Sequence, residues 1–329
     1  MKMFFPKLLA VVVLITGYSL AAAGESAADA TVLKVNGSVK ATFPGQSESV
    51  VLKVGDHVPQ GALITTGTSS QVFIQVFSGA VSTLGPSTTA SLEKLSVAKA
   101  DDGVITQQTA VVDLQSGNLI STIDPAKRSI NNYAVRTPKG VAAARGTSYS
   151  VSVTANGVAI AATADSVTFT SPLGVTYTIQ AGMISITPPG GTAQAPVPLA
   201  SAAASDPAIA HLVNDAVAAI TTIVENNLGG LSAESTSTLA SQIVAVASAA
   251  NPSQAATYTA EVTGAINSSN SVFAGNAGAA ASASSAVSNA SAAGVATTGP
   301  ASTGTPGTTT PVPAPVINVI NPPVVSPSS

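Results

Sequence analysis

The chain has 329 residues, of which 8% are charged and 4% aromatic, with no tryptophan and no cysteine; ordinary soluble domains carry roughly 25% charged residues. Without cysteine there is no disulfide, no thiolate metal ligand and no thiol for lipoprotein attachment. The formal net charge of −3 argues against a nucleic-acid partner, because phosphate binding needs clustered positive charge.

The N-terminus reads as an export signal. Lys2 and Lys7 form a positive start, Leu8 to Leu20 an apolar run, and Ala21-Ala22-Ala23 a small-residue cleavage site. A spanning helix needs about 20 apolar residues, so residues 1–23 are expected to be cleaved, with Ala28-Asp29-Ala30 as a second site. The product is then periplasmic, secreted or at the cell surface, with no stable transmembrane segment after cleavage. Cleavage takes the formal charge to −5, and all ten remaining basic residues lie between Lys34 and Arg145.

From residue 30 to about 188 the text predicts an all-β domain. Short apolar–polar alternations recur between turn signals: hairpin signals at Asn36-Gly37 and Asp101-Asp102-Gly103, Gly55-Asp56 and Gly61 punctuating short strands, turns at Asn156-Gly157 and Gly174, and two strands about Ser116-Gly117-Asn118. Val72, Ile74 and Val76 fall on one face, Phe73, Gln75 and Phe77 on the other. Either a sandwich or a solenoid satisfies this spacing. Residues 189–204 read as a linker. An Ala-rich helical segment is expected over 205–267. Its first helix, capped by Ser205 or Asp206, carries Ile209, Leu212, Val213, Val217, Ile220 and Val224 on one stripe. A second stripe holds Leu239, Ile243 and Val246, and a third Tyr258, Val262 and Ile266. Residues 268–329 are Ala/Ser/Gly and then Thr/Pro, low-complexity text that reads as a disordered tail.

Catalytic patterns are weak. His57 lies in a turn and His211 in a helix, far from one another in the pattern, and no nucleophile elbow, zinc or phosphate-loop motif occurs. Asp101-Asp102 read as a hairpin tip rather than a calcium site. No cofactor is implied. Lys127, Arg128, Arg136, Lys139 and Arg145 place five cations within 19 residues, read either as solvated strand edges or as a surface for an anionic partner.

Four motifs stand in a recognisable order: "VNGSVKATF" (Gly37); "LKVGDHVPQGALITTG" with Gly55, Asp56, Gly61, Ile64, Thr66 and Gly67, continuing to Gly79 and Gly85-Pro86; "VVDLQSGNLIS" (Gly117); and "NYAVRTPKGVAAARGTSYSVSV" with Thr137, Pro138, Arg145, Gly146, Thr147, Tyr149 and Val151. This order, over residues 32–155, resembles the FecR-type periplasmic domain. Best-known members of that family join a cytoplasmic anti-sigma bundle through one membrane span to this domain, which receives a signal from an outer-membrane transporter. With a cleaved leader in place of that bundle, the resemblance implies only the extracytoplasmic module. That is a non-enzymatic domain binding an envelope protein or surface polysaccharide in signalling or sensing. The alternative is a structural envelope or surface-matrix protein with a tethering tail. Physically, the glycines suit turns, Asp56 can accept backbone N–H bonds in its own turn, and Arg145 is expected as a clasp, pairing with Asp56, Asp113 or backbone carbonyls.

Overall fold

The computed structural model describes residues 25–296; the expected leader and residues 297–329 of the expected tail lie outside the described residues. The first nine strands are β1 (Glu25–Ala27), β2 (Ala30–Asn36), β3 (Val39–Thr42), β4 (Ser49–Val51), β5 (His57–Val58), β6 (Leu63–Thr66), β7 (Gln71–Phe77), β8 (Ala80–Leu84) and β9 (Thr89–Lys99). Nine more follow: β10 (Ile105–Ile123), β11 (Asn131–Thr137), β12 (Gly140–Ala144), β13 (Ser148–Thr154), β14 (Gly157–Ala164), β15 (Ser166–Thr170), β16 (Thr176–Gln180), β17 (Met183–Thr187) and β18 (Val197–Pro198). The helices are α1 (Leu199–Ser205), α2 (Pro207–Glu225), α3 (Ala233–Ala250), α4 (Ala255–Ile266) and α5 (Ala277–Ala296).

The strands form two open, stacked sheets. The outer sheet runs β4-β3-β6-β9-β10-β11-β12-β15-β16, with β1 beside the far end of β9. The middle sheet runs β5-β2-β7-β8-β10-β13-β14-β17-β18. Every neighbour is antiparallel except β10 and β11, which run parallel with Val111 opposite Ala134. The protein is thus mainly β with helices in its C-terminal part, and the two-sheet sandwich is the architecture adopted.

β10 belongs to both sheets and corrects the expected pair of strands about Ser116-Gly117-Asn118. It is one strand whose N-terminal part pairs with β9 and whose C-terminal part, from Gly117, pairs with β13. Gly117 has φ +93°, and a Cβ there would sit 2.5 Å from Thr88 Cα, so only glycine lets the strand bend at this corner. Asn36-Gly37 is likewise a crossing and not a hairpin, since β2 lies in the middle sheet and β3 in the outer one. Asp101-Asp102-Gly103, Asn156-Gly157 and Gly174 do turn antiparallel neighbours.

Between the sheets lies the main core, including Val72, Ile74, Leu92, Leu114, Val151, Ile160 and Phe169. A register shift between Gln75 and Phe77 turns Phe77 into this core as well. There it packs edge-on to Tyr133, at 6.4 Å and 73°. The other face of the middle sheet, with Phe73, Val81, Ile120, Ala161 and Ile184, packs against the helices.

Asp206 caps α2 by accepting from the Ala208 N–H at 2.9 Å, and Ser232 caps α3 by accepting from Ser235 N–H at 3.1 Å. The six residues of the α2 stripe are buried. Pro207–Glu225 is long and apolar enough to cross a membrane, with a mean hydropathy of 1.4, yet its apolar face lies in the core beside the middle sheet.

Two expected boundaries move. Val197–Pro198 extends the middle sheet, and Leu199 of α1 is fully buried, so 189–204 is not wholly linker. Residues 268–296 are packed too: Phe273 is buried, and α5 lies on α3 through Ala280, Ala283, Val287, Ser291 and Gly294. The Ser248 and Ser291 hydroxyls meet at 2.9 Å, and a Cβ on Gly294 would lie 2.2 Å from Ala245 O. Small side chains let the two backbones close together, so a sequence poor in large apolar residues still packs.

Candidate interaction site

Three motifs from distant parts of the chain converge on one corner of the sandwich. Thr66 Oγ1 donates to Gly85 O at 2.6 Å and accepts from Thr88 N–H at 2.8 Å. Gly67 N–H donates to Ser38 O, and Gly67 O accepts from Ser87 N–H. Thr88 Oγ1 accepts from Asn118 N–H at 3.0 Å and lies 3.2 Å from Asn118 O, and Gly85 N–H donates to that same carbonyl. The backbone polar groups of a corner have no ladder to join, and side-chain hydroxyls satisfy them. Thr88, which the sequence reading did not single out, and Asn118, named there only as part of a strand junction, hold this corner as much as Thr66 and Gly67 do.

The Gly55-Asp56 turn is closed within itself and tied to β2. Asp56 Oδ2 accepts from Lys53 N–H at 2.7 Å, while Gly55 N–H donates to Val32 O and Asp56 O accepts from Val32 N–H. Gly61 N–H donates to Leu92 O at 2.7 Å, tying its turn to β9. At the β11–β12 tip Thr137 Oγ1 donates to Gly140 O at 3.0 Å and accepts from Lys139 N–H at 3.2 Å, leaving Pro138 exposed.

The Arg-Gly-Thr turn joins β12 to β13. Gly146 has φ +121°, and a Cβ there would come within 2.8 Å of Pro125 Cα. Thr147 Oγ1 donates to Ala164 O, and Thr147 O accepts from Ile123 N–H at 2.9 Å. Two residues on, Tyr149 is fully buried, edge-on to Tyr133 at 6.3 Å, and donates to Ala142 O at 3.3 Å. Tyr133 and Ser82 share a hydrogen bond of 2.6 Å. Burial pushes the Tyr133 phenol up to about 12, with neighbouring serine hydroxyls pulling the other way, and burial followed by the charge of Tyr133 raises Tyr149.

Arg145 departs from its expected role. Its side chain is exposed and makes no hydrogen bond or ion pair among the described residues, with Asp56, Asp113 or any carbonyl. The other four cations of the cluster are engaged. Lys127 Nζ donates to Ser78 Oγ at 2.8 Å, Arg128 bridges to Asp165 at 2.8 Å, Arg136 bridges to Glu93 at 2.7 Å, and Lys139 Nζ donates to Pro189 O. Arg145 and Arg128 flank the same glycine, since a Gly146 Cβ would lie 3.2 Å from Arg128 Cβ. The Pro125–Lys127 turn beneath them is capped by Asp124, a buried carboxylate accepting from Ala126 N–H at 2.9 Å and from Ser235 Oγ of α3 at 2.6 Å. The Asp-Pro pair at 124–125 is the sequence signal for that cap.

His57 and His211 are both exposed, on β5 and α2. Asp102 Oδ1 accepts from Val104 N–H at 2.9 Å, closing the hairpin tip.

Residues 62–168 match the sequence profile of the family described as FecR protein. Over those residues, about a third of the chain, the protein is similar to a FecR domain. The matched stretch begins beside Gly61 and ends in β15, so it contains the Thr66–Thr88–Asn118 corner and the Arg-Gly-Thr turn, and the helical layer lies outside it. Two crystal structures of a protein from Parabacteroides distasonis ATCC 8503, provisionally named an anti-sigma factor, are similar to part of the chain. At 13% identity, TM-scores are 0.34 and 0.33, with 41% of this chain and 59% of those chains covered. The chain therefore spans under two thirds of the length of these structures. Comparison with curated proteins gives no match.

Proposed function

We propose that this protein is an exported, non-enzymatic interaction module of envelope signalling or sensing, in which the FecR-like domain docks an envelope protein or surface polysaccharide through the Arg145 end of the sandwich. Export rests on the leader at residues 1–23, and the product is periplasmic, secreted or surface-held. The signalling class rests on the similarity to a FecR domain.

Arg145 carries the reading. A guanidinium held on a turn that Gly146 and Thr147 fix to the sheet, and matched to no anion among the described residues, is pre-organised for a carboxylate or phosphate brought by a partner. Its neighbours Lys127 and Arg128 add field without competing, since each already has its own contact. The corner residues Thr66 and Gly67, the turns at Gly55-Asp56, Gly61 and Thr137-Pro138, and buried Tyr149 form the scaffold in this reading.

The test is capture from envelope extract with the mature chain and with Arg145→Ala and Arg145→Glu. The reading expects one or more specific partners whose retention falls at least tenfold for Arg145→Glu, while both variants melt with the parent. Equal retention by all three proteins would refute a docking role for Arg145.

A further inference from the structure

The sequence holds two Asn-Gly pairs, Asn36-Gly37 and Asn156-Gly157. An asparagine before glycine is a chemically fragile place in a chain, because the next residue has no Cβ and its backbone nitrogen can swing onto the side-chain amide carbon.

The fold treats the two pairs differently. Gly157 stands in the β13–β14 ladder opposite Thr154, the Asn156 N–H donates to Thr154 Oγ1 at 3.2 Å, and a Cβ on Gly157 would lie 2.1 Å from Thr187 O of β17. Both sides of that peptide unit are held, so its nitrogen has no room to turn. Asn36 is the last residue of β2, laddered to Gln71, and both it and Gly37 are exposed. Neither the Gly37 N–H nor the Asn36 carboxamide makes a hydrogen bond among the described residues. The nearest atom to a Gly37 Cβ would be the hydroxyl of Ser70, the end of a side chain. Fraying of one strand-end residue therefore frees the rotation at Asn36.

The chain just beyond is held tightly. The Ser38 N–H donates to Ser70 Oγ at 2.8 Å, and Ser38 O accepts from the Gly67 N–H at 2.9 Å. The crossing from β2 to β3 thus ends on the corner built by Thr66 and Gly67.

We propose that Asn36-Gly37 is a site of spontaneous deamidation and that its isoaspartate product loosens this corner. The Gly37 nitrogen, giving up its proton to water, bonds to Asn36 Cγ; the side-chain nitrogen leaves as ammonia, and a cyclic imide remains. Water then opens the imide. Cleavage of the new Cγ–N bond leaves aspartate, and cleavage of the original backbone C–N bond leaves isoaspartate, whose main chain runs through Cβ and Cγ and is one carbon longer. The longer chain brings Ser38 out of step with Ser70 and Gly67. The reaction involves neither Arg145 nor a partner.

The test incubates the full mature chain in mildly alkaline buffer, folded and in guanidinium, and follows the peptides holding Asn36 and Asn156 by mass spectrometry. Enzymatic methylation of isoaspartate separates the two products. In the folded chain the acid forms at 36 should accumulate at least about fivefold faster than at 156, the factor that one ladder hydrogen bond supplies. In guanidinium the two rates should converge, and Asn36→Gln should remove the first signal alone. The isoaspartate-containing fraction, isolated by anion exchange, should exchange the amides of the Gly67 corner severalfold faster than the parent. No acid form at 36, equal rates at the two sites in the folded chain, a ratio unchanged by guanidinium, or unchanged exchange at the corner would each overturn the proposal.

Discussion

The middle sheet meets the outer sheet with one face and the helices with the other, and the two contacts are made of different material. Toward the outer sheet it presents Val72, Ile74, Leu84, Leu119, Val151 and Ile160, completed by the Phe77–Tyr133–Tyr149 ring chain. Toward the helices, Phe73, Val81 and Ile120 alternate with Thr83, Thr122 and Ser150, whose buried hydroxyls have no hydrogen-bond partner. Cross-strand neighbours share a face, so Thr83 and Ser150 flank Ile120 directly. Ser121, on the outer-sheet side between Leu119 and Ile123, is a further such hydroxyl among the described residues, so these orphans number three on the helix side of the middle sheet against one on the other, and each subtracts from the transfer free energy its interface gains. The sandwich is the stable body of this protein and the helical layer a cover held less tightly.

The largest effect should come from emptying the first interface. Tyr149→Ala is expected to cost about 3–5 kcal/mol, the range for large aromatic truncations in a core, measured by denaturant unfolding; a loss near 1 kcal/mol would break the contrast. The same rings predict an alkaline limit. The folded-state phenol of Tyr133 titrates near 12 rather than 10, so its contribution is complete below pH 10 and is lost as pH rises through 12. Tyr133→Phe should flatten the fall in stability over that window, followed by unfolding at fixed denaturant; an unchanged pH profile would mean that other groups govern it.

Asp124 joins the two bodies, so Asp124→Ala should act on the cover. Removing it takes the carboxylate partner from Ser235 Oγ, which keeps Ser232 Oγ at 3.0 Å, and from the exposed Ala126 N–H, at about 1 kcal/mol. Hydrogen exchange should quicken first in α2 and the start of α3, while β13 and β14 keep their protection. Uniform loss across the chain would show that sandwich and helices unfold as one unit. The smallest change is Thr83→Val, which removes an unsatisfied hydroxyl at nearly constant volume. It is expected to be neutral or to stabilise by up to about 1 kcal/mol, and destabilisation beyond that would place a hydrogen bond at Thr83 Oγ1.

This contrast was only half legible in the sequence. Alternation of apolar and polar residues marks the strands, and the stripes of α2 to α4 mark one buried face each, because both are local consequences of backbone period. Asn36-Gly37 reads as a hairpin and Gly117 as the break between two strands because a glycine with positive φ looks the same in sequence whether the chain turns back, bends or crosses to another sheet. The partner strand decides, and it is remote. α5 carries no hydrophobic stripe because its packing rests on the smallness of Ala283, Ser291 and Gly294, which composition alone equates with disorder. At the candidate site the motifs were visible but their roles were not. Nothing local in "AAARGTSYS" distinguishes an arginine that finds Asp113 from one that faces solvent, since that depends on where the sheet end points. Thr88, Asn118 and Asp124 were passed over as site residues for the same reason, each satisfying a backbone or side chain 30 or more residues away.

The central claim is that the sandwich is complete without Arg145 and presents it outward. Measured side by side on the mature chain, the Arg145→Ala thermal midpoint and its retention of partners from envelope extract test this directly. The account predicts a midpoint within about 2 °C of the parent, as for a surface substitution, together with at least a severalfold loss of retention. A midpoint lowered well beyond that, with retention unchanged at a temperature where both proteins are folded, would make Arg145 the clasp that the sequence suggested and would contradict the account.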